Sequence, residues 1–130
     1  MERSEADLSP AECWELLATT SVGRLALSDR ALPTIVPVRY AVGSGSVAIC
    51  VGRLGPPAAV HDAVVAFVAD RIDEESASGW TVLMQGRARL APADPLPADP
   101  GAGAAGQVVL LVPAKMTGHR ITLPASPFPH

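Results

Sequence analysis

Aromatic residues are scarce in this sequence: one Tyr, two Phe and two Trp make up only 4% of its 130 residues. Hydrophobic residues nevertheless account for 48% of the chain, so the core must be aliphatic, built mostly from Val, Leu and Ala. A chain of this length is expected to form a single domain over residues 1–130. It is long enough to bury such a core.

Several other features are missing. No apolar run reaches the roughly 18 residues that a membrane-spanning helix needs, and the acidic N-terminus has no signal-peptide core. Lys and Arg do not cluster and the net charge is −3, which argues against nucleic acid as a partner. Cys13 and Cys50 lie in different predicted elements, so we interpret both as reduced, buried thiols. Together these absences predict a cytoplasmic protein without a membrane or nucleic-acid partner.

One helix is predicted near the N-terminus. Ser9 can cap it, Pro10 suits its first position and Glu12 closes a capping box. Apolar segments with the character of strands follow it, at residues 22–27, 34–40, 47–51, 63–69, 78–90 and 108–112. Residues 115–121 predict a turn and a short terminal strand. Pro37 cannot donate to a ladder, so the second strand is expected to be at an edge or locally broken there.

The longest predicted strand covers residues 78–90. Its alternation places Val82, Met84 and Gly86 on one face and Thr81, Leu83, Gln85 and Arg87 on the other. Trp80, at the start of the strand, could cover a core edge or stack on a planar ligand. Gly86 suits a bulge or the close approach of another backbone.

About six strands and one helix, joined mostly by short loops, predict an antiparallel barrel with a helix at one end. Residues 64–69 and 108–112 are apolar on both faces, whereas a small barrel has only one inside. A homodimer is therefore expected to cover the outer apolar faces. Residues 91–106 are almost entirely Pro, Ala, Asp and Gly and predict a flexible loop. Residues 1–7 and 123–130 are predicted to be loosely held termini.

Five segments of the sequence have a familiar pattern. They are residues 8–13 with Leu16-Leu17; residues 22–26 with residues 32–40; residues 63–67 with Asp70 and Ile72-Asp73; Gly79-Trp80-Thr81-Val82 with Gly86-Arg87-Ala88; and Thr117-Gly118-His119-Arg120-Ile121. In this order, from about residue 8 to residue 121, they resemble the pyridoxamine 5′-phosphate oxidase-like family of FMN-binding split barrels. The likeness is to its short actinobacterial-type members.

The resemblance implies a mainly β fold, a six-stranded antiparallel split barrel with an N-terminal helix. It also implies a homodimer that holds FMN in grooves between its subunits, and a small flavin-dependent oxidoreductase. The flavin would supply the redox chemistry and the protein would bind, orient and tune it. The candidate cofactor-binding residues are Arg39, Tyr40, Arg53, Trp80, Thr81 and Gln85. No catalytic residue and no substrate are predicted.

The chain departs from the family pattern after the third strand. Relatives have Arg-Thr there, followed by a Gly-x-Lys segment, and these hold the flavin phosphate. Here Val51-Gly52 replaces the Arg-Thr pair, and Arg53 is the only charge in the segment. A phosphate dianion prefers several charge-assisted donors. The alternative prediction is therefore a non-enzymatic split-barrel dimer that has lost FMN, or that binds another cofactor such as deazaflavin or haem.

The candidate residues also have purely structural interpretations. Trp80 could be an aromatic plug at the barrel mouth or dimer interface. Arg39 and Tyr40 could form an edge-strand pair facing solvent, and Arg53 could be solvated, as loop arginines usually are. The three histidines do not have the spacing of metal ligands, so no metal site is predicted. No nucleophile–base pair can be assigned.

Overall fold

A computed structural model describes residues 5–51, 60–91 and 108–129 of the protein. Its elements in chain order are β1 (Glu5–Asp7), α1 (Pro10–Leu17), β2 (Val22–Asp29), β3 (Leu32–Val42), β4 (Val47–Cys50), β5 (Val64–Asp73), β6 (Ser78–Leu90), β7 (Val108–Leu111) and β8 (Lys115–Thr122). Arg53, the predicted loop after residue 91, and the chain ends at residues 1–4 and 130 lie outside the described residues.

The strands form one antiparallel sheet that closes on itself. β6 pairs with β5 along one edge and, along its other edge, first with β8 and then with β7. The closed ring therefore runs β2-β3-β4-β7-β6-β5. Within the described part of the chain, this confirms the predicted six-stranded antiparallel barrel with one helix.

Two further strands extend the sheet beyond the ring. β8 pairs with β6 over eight positions, so the predicted short terminal strand is a full-length one. β1 pairs with β8 at residues 5–7, inside the segment that was predicted to be loosely held. Residues 123–129 have no regular structure and are exposed. The chain's N-terminal end was harder to predict because a three-residue strand has no periodicity of its own.

Gly86 lies at the point where β6 changes neighbours. β6 pairs with β8 as far as Gln85 and with β7 from Ala88 onward. A Cβ atom added to Gly86 would lie 2.8 Å from the backbone oxygen of Val112 and 3.0 Å from the backbone nitrogen of Ala114. The backbone that connects β7 to β8 thus passes directly over Gly86, and the predicted close approach of another backbone is confirmed.

Pro37 also has a clear structural context. β3 lies between β2 and β4, but β4 pairs only with positions Arg39–Val42 of β3. At Pro37 the strand is therefore paired with β2 alone. Because β4 does not reach Pro37, the missing N–H of the proline removes no hydrogen bond between β3 and β4. This agrees with the expectation of a locally broken edge.

Helix α1 begins as predicted. Ser9 Oγ accepts a hydrogen bond from Glu12 N at 3.2 Å, and Ser9 N donates to Glu12 Oε1 at 2.9 Å. The two bonds complete a capping box, and they hold the pKa of the Glu12 carboxyl below its ordinary value. Cys13 and Leu17 of the helix are buried. Within the described residues, no helix has the length and apolar character needed to cross a membrane.

The core lies inside the ring and is aliphatic apart from three aromatic side chains. Its fully buried members are Phe67, Leu17, Leu25, Ile49, Met84, Leu111, Val47, Val60, Val82, Val109 and Cys13. The Phe67 and Tyr40 rings meet edge to face, with 4.9 Å between centroids. Cys50, in contrast, is only partly buried, because it belongs to the outward-facing positions of β4.

Candidate ligand-binding face

The predicted site residues lie on opposite sides of the barrel wall. Tyr40 and Trp80 face inward, and each side chain is 6% exposed. Arg39, Thr81 and Gln85 face outward: Thr81 is half-buried and the other two are exposed. Because successive residues of a strand point to opposite faces, Trp80 cannot share a surface with Thr81.

Tyr40 is integrated into the core. Its hydroxyl donates a 2.6 Å hydrogen bond to the backbone oxygen of Leu17, and its ring packs against Phe67. Burial raises the pKa of Tyr40 to about 12, so the phenol stays neutral at ordinary pH. The polar group that could have reached a ligand is thus used within the fold. Its predicted contact with a cofactor stays a prediction.

Trp80 occupies the edge of the same core. It shares the inward face of β6 with Val82 and Met84. Its cross-strand neighbours are Arg71 on β5 and Arg120 on β8, both exposed. This position fits the interpretation of Trp80 as an aromatic cover for the core, and its role as a ligand contact stays a prediction.

The outward-facing residues form a continuous surface across five strands, here called the outer face. It comprises Ile35, Pro37 and Arg39 of β3; Val22, Arg24 and Ala26 of β2; Val64, Ala66, Val68 and Asp70 of β5; Thr81, Leu83, Gln85, Arg87 and Arg89 of β6; and Lys115, Thr117 and His119 of β8. It brings Arg39, Thr81 and Gln85 onto one surface.

The side chains in the middle of the outer face are apolar, and they are here called the apolar floor. Ala26 and Ala66 are paired neighbours on β2 and β5, and Val68 and Leu83 are paired neighbours on β5 and β6. Ile35 stands beside Ala26 and is 66% exposed. These neighbouring side chains form an apolar surface against which a flat apolar group, such as a fused ring system, can lie.

Cations border this floor. Arg24 pairs across the sheet with Val68, and Lys115 pairs with Gln85. Neither takes part in the ion pair between Arg87 and Asp62 or in the contact between His119 and Asp7. Although the chain has a net charge of −3, positive groups outnumber acidic ones on the outer face. Such a surface can hold an anionic group beside an apolar ring.

Arg24 and Lys115 were not among the residues predicted from the sequence. The sequence does contain a signal for Arg24. Leu25 and Leu27 of β2 face inward, so alternation along the strand predicts that Arg24 faces outward. Lys115 offers no such signal, since it was assigned to a turn and begins a strand only through its pairing with β6.

A histidine lies at one edge of the outer face. His119 Nδ1 is 3.1 Å from Asp7 Oδ1 and links β8 to β1. This nitrogen is buried, and its contact with Asp7 does not have the geometry of a hydrogen bond. Within residues 5–51, 60–91 and 108–129, no three metal-ligating side chains cluster together.

Comparison with known proteins gives a consistent result. The family described as pyridoxamine 5′-phosphate oxidase matches residues 9–120. The uncharacterized protein Rv0080 of Mycobacterium tuberculosis is 35% identical over 95 residues, which are 66% of this chain and 60% of that protein. The chain therefore spans less than two thirds of that relative's length.

Solved structures share the fold. The FAD binding protein from Mycobacterium smegmatis is 25% identical, with a TM-score of 0.71 over 90% of this chain and 98% of its own. An FAD-binding protein from Mesorhizobium loti has a TM-score of 0.70 at 18% identity, over 94% of this chain and 100% of its own. At that identity the second likeness is one of fold alone.

Proposed function

Because the chain belongs to the pyridoxamine 5′-phosphate oxidase family, we propose that it binds a flavin, specifically FMN, on its outer face and acts as a small oxidoreductase. The names of the two solved relatives support a flavin in general, since both are described as FAD-binding. We further propose that a second copy of the chain covers the bound flavin, and that the protein works in the cytoplasm, where its two thiols would stay reduced.

One observation carries this proposal: an apolar surface and the cationic side chains that border it lie together on the outer face. The floor around Ala66 and Val68 suits the flat, apolar isoalloxazine ring. Arg24, at one border of this floor, and Arg39, on the neighbouring strand, suit the phosphate. The residues present therefore fit a flavin mononucleotide, although the family's usual phosphate segment is replaced in this sequence.

Each residue has a task in binding. Arg24 and Arg39, on neighbouring strands, would offer charge-assisted donors to the phosphate. Lys115 lies three strands from Arg24, about 14 Å away at ~4.8 Å per strand, and would add a positive charge at the opposite border of the floor. Thr81 and Gln85 would donate and accept hydrogen bonds at the polar edges of the ring. A second copy would exclude water from the ring, because the side chains of the apolar floor are only half-buried. When bound, the flavin supplies transfer of one or two electrons, and the protein supplies position and electrostatics.

The test is a titration of purified protein. Its visible absorption spectrum is recorded first, and flavin-free protein is then titrated with FMN and, separately, with FAD while Trp fluorescence is followed. We expect saturable quenching by FMN at micromolar concentration. Arg24→Ala should weaken FMN binding roughly ten- to hundredfold, because a charge-assisted hydrogen bond contributes about 1.5–3 kcal/mol. Arg120→Ala is the control, since it removes the same charge from an inward-facing position.

The outcomes separate the alternatives. No quenching by either flavin at millimolar concentration would overturn the proposal and favour a barrel that has lost flavin; deazaflavin and haem are then titrated in the same way. Binding of FAD without FMN would refute the choice of mononucleotide. Equal loss in Arg24→Ala and Arg120→Ala would show that the outer face is not the site.

A further inference from the structure

The outer face carries a single carboxylate among its described residues. Asp70 of β5 is the one acidic member of the set defined above, whose other charged members are cations. It is exposed. Within the part of the chain that the structure describes, its carboxylate takes part in no ion pair and accepts no hydrogen bond. It is therefore available to a ligand on this surface.

The strand register places Asp70 beside the proposed phosphate site. Val68, two residues before Asp70 in β5, pairs with Arg24 of β2. Continued by two positions, the same register brings Asp70 level with Val22, which pairs with Arg39 of β3. Arg24 is thus a diagonal neighbour of Asp70, about 7–8 Å away, and Arg39 lies two strands from Asp70 in the same row.

On its other side, Asp70 borders the apolar floor. It pairs directly with Thr81 of β6, and the neighbouring pair on the same face is Val68 with Leu83. Asp70 therefore lies between the side chains proposed to contact the ring and the two arginines proposed to bind the phosphate.

The part of FMN that connects ring and phosphate is a ribityl chain, whose carbons carry hydroxyl groups. A hydroxyl can donate a hydrogen bond, and an ionised carboxylate only accepts. The phosphate gains nothing from a carboxylate, because like charges repel. The ring has an N–H donor of its own, but at the pyrimidine end, away from the chain that leads to the phosphate. Next to the phosphate site, the hydroxyl groups are therefore the donors that a carboxylate can bind.

We propose that Asp70 accepts hydrogen bonds from the ribityl hydroxyl groups of the bound flavin and thereby selects flavins that carry this chain. The proposal rests on the flavin site proposed above and adds a specificity-determining residue to it. Arg24 and Arg39 bind the phosphate, whereas Asp70 distinguishes a polyhydroxylated side chain from an apolar one.

A simpler role for Asp70 is to balance the charge of Arg24. In that role the carboxylate opposes the binding of a phosphate, so its removal strengthens FMN binding and leaves the binding of a flavin without phosphate unchanged. The two roles therefore make opposite predictions for the same substitution.

The experiment compares ligands that differ by one part at a time. FMN has ring, ribityl chain and phosphate; riboflavin lacks the phosphate, and lumiflavin lacks the chain as well. The dissociation constant of each is measured by flavin fluorescence for the unmodified chain, Asp70→Ala, Asp70→Asn and Arg24→Ala. Glu74→Ala is the matched control, because this exposed carboxylate lies in the turn after β5 and not on the outer face.

The unmodified chain should bind riboflavin roughly ten- to hundredfold more tightly than lumiflavin, as expected for a hydrogen bond to a charged group. Asp70→Ala should abolish this preference and leave lumiflavin binding unchanged. Asp70→Asn keeps an acceptor oxygen and should retain part of the preference. Arg24→Ala should weaken the binding of FMN alone, and Glu74→Ala should change none of the dissociation constants.

Two results would overturn the proposal: equal binding of riboflavin and lumiflavin by the unmodified chain, or a preference for riboflavin that persists in Asp70→Ala. Tighter FMN binding by Asp70→Ala, with riboflavin unchanged, would assign Asp70 to charge balance instead. If FMN binds and Arg24→Ala weakens it while Asp70→Ala keeps the preference, only the role of Asp70 is wrong. If no flavin binds the unmodified chain, the flavin proposal fails and the role of Asp70 fails with it.

Discussion

Tyr40 Oη donates a 2.6 Å hydrogen bond to the backbone oxygen of Leu17, the last residue of α1. The final carbonyl groups of a helix have no partner within the helix. The last turn of α1 also has no basic residue that could compensate. The bond therefore gives one of these carbonyls a buried partner and ties the helix to β3.

Removing this hydroxyl should destabilise the fold. Tyr40→Phe keeps the ring against Phe67 but leaves the Leu17 carbonyl without its partner, and we expect a loss of about 1–2 kcal/mol in the free energy of unfolding by urea. Thr19→Val is the control, because Thr19 Oγ1 also bonds a carbonyl of α1, that of Leu16 at 2.6 Å, but at the surface. Equal losses in the two variants would contradict a special role for the buried bond.

Tyr40 also makes stability depend on pH at the alkaline end. Its pKa is raised from 10.0 to about 12 by burial, so the unfolded chain releases this proton first as the pH rises. The stabilisation is fully present below pH 10 and is lost as the pH approaches about 12. Urea unfolding at several pH values should show this fall in the unmodified chain and a smaller one in Tyr40→Phe.

The chain's single tyrosine makes the titration directly observable. Tyrosinate absorbs near 295 nm, so absorbance in the folded protein should rise well above the pH at which it rises in concentrated urea. Coincident curves would contradict the burial of the phenol.

Gly86→Ala should destabilise the fold at the point where β6 stops pairing with β8 and begins to pair with β7. The added methyl would lie 2.8 Å from the backbone oxygen of Val112, and backbone cannot move aside as a flexible side chain can. We expect a loss of about 1–3 kcal/mol, as for other overpacked sites. Gly43→Ala is the control, because the nearest atom there is the Ser46 hydroxyl at 3.2 Å. A Gly86→Ala variant as stable as the control would contradict the close passage of the backbone.

Substitutions at Trp80 and at Gln85 should distinguish an effect on stability from an effect on ligand binding. Trp80→Ala removes a buried ring and should cost about 3–5 kcal/mol, whereas Trp80→Phe should fold and bind FMN as tightly as before. Gln85→Ala, on the outer face, should change stability by no more than about 0.5 kcal/mol and weaken FMN binding. If Trp80→Phe is stable but loses FMN, Trp80 is a ligand contact after all.

The sequence was informative wherever a local rule decides the structure. The capping box at Ser9 depends on residues three positions apart, and the faces of β6 follow from alternation alone, so both were predicted. Alternation was not applied to Arg39 and Tyr40, which were assigned to one ligand although adjacent strand residues face opposite ways. The surface shared by Arg24 and Lys115 could not be predicted, because the pairing of four strands creates it.

The double pairing of β6 has a consequence for how the molecule opens. Its amides are bonded to β5 on one side and to β8 or β7 on the other. The β6 amides that donate to β5 or β7 can therefore exchange with solvent only when the ring itself is broken, whereas those that donate to β8 exchange when β8 detaches, and β1, which pairs with β8, can detach first. Hydrogen exchange of the first group of β6 amides would thus report the global opening of the barrel, and exchange at β8 and β1 would report local opening.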